Sequence, residues 1–184
     1  MSAREGVKIN RAPVLTLWAA VVARRMGYAE SEALSLGRAV AGLTAQSKGR
    51  RLGIYSPAPE AKRAQVAAER EAMGSNRLAF MGREIACIRS EDGVRALSGT
   101  SPITPESVEK YLASKFKEHL PIVRESLEKL AEAYSPEDLE ARAMDLYMQL
   151  RPQTPKGEQG WGRAGLLDLG KIARLADEAD VAGA

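Results

Sequence analysis

The chain has 184 residues, 45% apolar and 28% charged, with a formal net charge of +3, values ordinary for a soluble globular protein of one domain or two small ones. One cysteine, Cys87, excludes an intrachain disulfide, and with a single histidine, His119, it excludes a four-ligand His/Cys zinc site. The longest apolar run, residues 12–23, is interrupted by Thr16 and is too short to cross a membrane, and Glu5 spoils a charged leader. A cytoplasmic protein with no membrane partner is expected.

The small net charge hides an asymmetry. Residues 1–90 hold 15 Lys+Arg against 7 Asp+Glu, a net of +8, and residues 91–184 hold 12 against 17, a net of −5. Such polarity steers an anionic partner to one end or holds the two halves together.

Residues 1–10 are polar and are expected to fray. Asn10 can cap a first helix, with Pro13 tolerated near its start, that runs to Met26 and is closed by Gly27. Val14, Leu15, Leu17, Trp18, Val21 and Val22 leave it little polar surface, so it belongs in the interior with Trp18 as a core anchor. A second helix begins at Glu30 or Ser31. Its small residues Ala33, Gly37, Ala41 and Ala45 recur every fourth position, on one line along which another helix can approach closely. The short connection makes the first two helices an antiparallel pair. The second helix runs into Lys48, Arg50 and Arg51, cations suited to a helix C-terminus. Gly49 and Gly53 then release the chain into a short extended piece, Ile54-Tyr55, ended by Pro57-Ala58-Pro59.

Glu60 to Met73 reads as a surface helix rich in alanine and charge, stopped by Gly74. Residues 78–81 and 85–88 are apolar runs around Gly82-Arg83, a hairpin signal with a type II′ turn, and Asp92-Gly93 marks a further turn. Cys87 lies in the second run and reads as a packing residue rather than a nucleophile. Thr104-Pro105-Glu106 and Ser135-Pro136-Glu137 repeat one helix-start signal, a hydroxyl cap followed by proline and an acid. Helices are expected near 105–118, 121–134 and 136–150, forming a small bundle. A loop over 151–163 carries Gly160-Trp161-Gly162, where Trp161 either folds back to seal the core or anchors a partner. A last helix spans 168–179.

No Walker loop, dinucleotide fingerprint or serine elbow is present, and His119 has no orienting acid or nucleophile in a recognisable arrangement. No catalytic residue, metal ligand or cofactor is therefore assigned. Lys48, Arg50, Arg51, Lys62, Arg63 and Arg83 form the candidate nucleic-acid face. The order helix, helix, strand, helix, hairpin is also roughly that of a winged helix-turn-helix domain, with residues 60–73 as groove helix and Gly82-Arg83 as wing tip. Against it, Glu60, Glu69 and Glu71 on that helix would repel phosphates. The bland alternative is a basic surface that pairs with the acidic half.

Residues 11–23 and 45–53 resemble an uncharacterised family of bacterial proteins, a resemblance that continues through the hairpin and the Gly-Trp-Gly loop. It implies a bacterial, cytoplasmic origin and transfers no activity. The expected fold is mainly α, about seven helices with one small β-hairpin. Residues 1–98 make a basic helix-pair and hairpin region and residues 99–184 an acidic helical bundle, or the two form one continuous domain. The expected function is a non-enzymatic binding protein, a DNA-binding regulator acting through the basic cluster. The alternatives are an interaction or self-associating module using the small-residue line or Trp161, and an enzyme of unknown type.

Overall fold

From Pro13 to Ala23 every residue of helix α1 (Arg11–Arg25) is buried. The computed structural model describes residues 6–51, 53, 59–154 and 164–183, apart from the side chains of 48–51, 182 and 183. The helix can be central because it has no polar face: Thr16 turns its hydroxyl back onto the Ala12 carbonyl at 2.9 Å. Each fully buried Val or Leu here contributes about 1.5–3 kcal/mol relative to exposure. Four helices surround α1, namely α2 (Glu30–Arg51), α4 (Pro105–Phe116), α5 (Leu120–Glu132) and α6 (Pro136–Leu150).

The α1–α2 connection is a helix-terminating turn. Gly27, at φ +108°, lets its own N–H reach Arg24 O at 3.0 Å and the Tyr28 N–H reach Ala23 O at 3.1 Å. The chain then reverses, and the small-residue line does what its spacing predicts. Ala33 and Ala41 are buried, and a Cβ on Gly37 would sit 2.5 Å from the Thr16 carbonyl oxygen. The two backbones meet there. Helix α2 continues through Gly49 to Arg51 rather than ending at the glycine.

Helix α3 (Glu60–Ala72) follows as expected and buries none of its residues. The β region is larger than the expected single hairpin. Strands β2 (Asn76–Phe80), β3 (Arg83–Ser90), β4 (Gly93–Ser98) and β5 (Ser101–Pro102) form an antiparallel meander in that order. The first turn also differs: Phe80 pairs with Arg83, so the loop is Met81-Gly82, with φ of 49° and 76°. Two left-handed residues in succession make it type I′, not II′. Ile85, Cys87, Val94 and Ala96 alternate inward, and the β4 alternation is easily overlooked because Leu97 directly follows Ala96.

Residues 6–9 also depart from the expectation of fraying. They form β1 (Gly6–Ile9), paired antiparallel with β6 (Gly165–Asp168). Val7, Ile9 and Leu167 enter the core, and that burial fixes a segment whose other residues are polar. Ile54, Tyr55 and the Pro57-Ala58 pair lie outside the described residues.

The C-terminal helices fall where the start signals put them, ending with α7 (Leu169–Gly183). Ser135 caps α6, its hydroxyl accepting the Asp138 N–H at 3.2 Å, whereas Thr104 makes no side-chain cap bond to α4. One contiguous core includes residues of both charge halves. Trp18 spans it, donating its indole N–H to the Ala143 carbonyl at 2.9 Å. Arg25 reaches Tyr134 O at 2.9 Å.

Candidate ligand pocket

Helix α2 has 22 residues and its antiparallel partner α1 has 15. The first half of the small-residue line is filled by α1, but Ala41 and Ala45 lie toward the end where α2 outruns its partner. There a cavity of about 640 Å³ opens. Its floor is Arg11, Ala12 and Leu15 of α1, and one wall is Ala41, Thr44 and Ala45 of α2. The opposite wall is a single face of α6: Glu140, Ala141, Met144, Tyr147, Met148 and Arg151 just beyond its end. The β2–β3 turn closes the third side with Met81, Gly82 and Arg83.

Most of this lining is apolar, and Arg11, Tyr147 and Arg151 gather at one end, while Glu140 and Arg83 lie elsewhere along it. The Arg11 Nε–H donates to the Pro152 carbonyl at 3.0 Å, and the Tyr147 hydroxyl donates to the Arg11 carbonyl at 3.3 Å. Burial lowers the Arg11 pKa, and the neighbouring Arg151 charge lowers it further. Burial pushes the Tyr147 phenol up to about 12, so it stays protonated at neutral pH. Among the described residues, two buried side-chain polar atoms lack a hydrogen-bond partner, Thr44 Oγ1 and Arg151 Nε. Both residues line this one cavity, although the two atoms themselves are covered by protein.

A second cavity of about 440 Å³ lies between α1, α2 and α5. Its charges are matched in kind, with Arg24, Arg25 and Arg124 against Glu30, Glu128 and Glu132. Arg25 is committed to Tyr134 O, and Arg124 pairs with Glu109 at 3.2 Å. It holds no unmet demand of the kind seen in the larger cavity.

The candidate cationic face is divided. Arg83 lines the larger cavity, while Lys62 and Arg63 are exposed on the first turn of α3 and line neither. The side chains of Lys48, Arg50 and Arg51 lie outside the described residues, as does Trp161 with its flanking glycines. His119 ends a short 3-10 turn with Glu118 Oε1 at 3.6 Å. Cys87 is buried, and burial pushes its thiol up to about 11, which makes it a poor nucleophile. No cluster of three or more His, Cys, Asp or Glu among the described residues could hold a metal ion, and no described helix is long and apolar enough to cross a membrane.

Sequence reasoning did not bring Thr44, Met144 and Arg151 together. The signal was faint but present: residues 140, 144, 147 and 151 share one helix face, and an arginine follows directly on the apolar end of that helix. No protein-family model, no curated protein and no solved structure matches this chain.

Proposed function

We propose that this is a non-enzymatic binding protein of the bacterial cytoplasm and that the cavity between α1, α2, α6 and the β2–β3 turn holds a small molecule. The observation that carries this reading is the cavity itself, about 640 Å³, walled by Leu15, Ala41, Ala45, Met81, Met144 and Met148 with Arg11, Tyr147 and Arg151 gathered at one end. The cavity also has the size common for ligand sites. Binding is favoured over catalysis by the lining itself. At the polar end a phenol held protonated and guanidiniums that do not exchange protons near neutrality make a poor acid–base set, and the one carboxylate of the lining, Glu140, lies at the opposite end of the α6 face.

Methyl NMR of the methionine-labelled protein tests this. Small apolar probes such as octanol should shift Met81, Met144 and Met148, and Ala45→Leu, which fills the space from α2, should abolish the shifts. Shifts confined to other methionines, or none, would remove the reading.

A second reading, DNA contact, is favoured by one observation: α3 buries none of its residues and presents Lys62 and Arg63 to solvent. It treats the N-terminal half as winged-helix-like, with α3 as groove helix and the Met81-Gly82 turn as wing. Its opponents are Glu60, Glu69 and Glu71 on the same helix. Reversing Lys62, Arg63 and Arg83 to Glu should weaken a salt-sensitive gel shift if this reading holds, and an unchanged shift removes it.

A further inference from the structure

Resting on the pocket reading above, we infer that the ligand is an apolar monocarboxylic acid whose head group sits between Arg11 and Arg151. These two guanidiniums occupy one end of the cavity. The tie from Arg11 Nε to the Pro152 carbonyl sets one beside the other, since Pro152 directly follows Arg151. Neither arginine forms an ion pair with a described residue, so two cations face one space with no fixed anion between them. Arg151 lines this end, and its guanidinium has the planar fork geometry that suits a carboxylate. The drop in the Arg11 pKa on account of Arg151 is the same mutual repulsion, which an anion would relieve.

The remainder of the cavity describes the body of the ligand. Leu15, Ala41, Met81, Met144 and Met148 offer no charge and no strong hydrogen-bonding group. Methionines adapt their shape, so they suit a flexible chain better than a rigid ring system. Glu140 stands at the far end of the α6 face, about 16 Å from Arg151 at the rise of an α-helix. An acid at that end would be repelled. With Arg83 on the β2–β3 turn, the cavity carries cations on two sides and an acid at the far end of the α6 face, and that acid disfavours a second carboxylate beside it.

Isothermal titration of the full chain with decanoate, decanol, decyl phosphate and decanedioate tests each part. Decanoate should bind at least about tenfold more tightly than decanol, a difference of about 1.4 kcal/mol. Arg151→Met should erase that advantage while leaving decanol binding in place, which shows that the variant is folded. Ala45→Leu should abolish binding of both. If decanol and decanoate bind equally, the carboxylate assignment falls and the pocket stands. If neither binds, both fall. Decyl phosphate binding tenfold more tightly than decanoate would overturn the carboxylate in favour of a phosphate head. Decanedioate matching decanoate would overturn the role given to Glu140.

Discussion

Glu32 Oε2 accepts the Val94 N–H at 2.9 Å, and this bond ties the first turn of α2 to the edge of β4. The other oxygen accepts the Ala29 N–H at 2.9 Å, the half of a capping box in which the third helical residue reaches back to the cap. One turn on, Ser35 Oγ accepts the Ala96 N–H at 3.2 Å. Val94 and Ala96 are the N–H groups that a longer β5 would have taken, but β5 has two residues and pairs only with Leu97 and Ser98. Two side chains of a helix thus finish a strand edge that would otherwise be open to pairing with another chain.

Removing that carboxylate should be costly. Glu32→Ala leaves the Val94 N–H without its acceptor and is expected to lower stability by about 1–3 kcal/mol in urea denaturation. The pH dependence has a definite sign. The Val94 and Ala29 N–H groups hold the Glu32 pKa below its ordinary value, Arg95 and Arg89 assist, and burial opposes. The contribution is therefore complete above the unfolded glutamate value of about 4.3 and disappears as pH falls through the lower folded value. The stability gap between wild type and Glu32→Gln should narrow on acidification. A gap that widens would contradict the assigned bonds.

Two glycines five positions apart on α2 should respond oppositely to the same change. At Gly37 a Cβ would meet the Thr16 carbonyl oxygen at 2.5 Å and the Ala20 nitrogen at 3.0 Å, both backbone atoms of a buried helix. Gly37→Ala must push α1 and α2 apart, at a cost of about 1–3 kcal/mol. At Gly42 nothing lies within 4 Å of the same atom. Gly42→Ala then only improves helix propensity, for a gain of up to about 1 kcal/mol. Urea midpoints of the two variants should fall on opposite sides of wild type.

Much of the helical framework was legible because its signals are local. Gly27 and Gly74 end helices by adopting the left-handed conformation, and Ser135-Pro136 opens one, each within a few residues. The line from Ala33 to Ala41 could be read for the same reason. The missed parts depend on partners distant in the chain. Residues 6–9 become a strand only because residues 165–168 lie beside them. The Met81-Gly82 turn takes two positive φ angles although methionine resists that conformation, since Met81 is buried and pairing of Phe80 with Arg83 sets the register. The pocket was illegible on the same grounds. Arg11 and Arg151 are 140 positions apart, and each by itself reads as a surface cation.

Trp18 offers a test of whether the two charge halves unfold as one. Its ring is fully buried, and its N–H bond to Ala143 crosses from the basic half to the acidic one. Trp18→Phe loses that bond and part of the ring volume, which together should cost about 1–3 kcal/mol. In a single cooperative core, hydrogen-exchange protection should fall equally in α2 and in α6. Loss confined to α2 would mean that the halves open separately.

Lys117 should be a place where a smaller residue is better. It is exposed at the end of α4 with φ 54° and ψ −131°, a region nearly restricted to glycine. A side chain there costs about 1–3 kcal/mol in backbone strain. Glycine removes the strain but loses up to about 1 kcal/mol through the entropy of the unfolded chain. Relief of strain outweighs that loss, so Lys117→Gly should raise stability by about 1 kcal/mol, whereas Lys117→Ala, which keeps the Cβ, should gain nothing. Thermal melts of the two variants distinguish relief of the backbone from simple loss of a surface charge. Equal shifts in both would assign the effect to the charge.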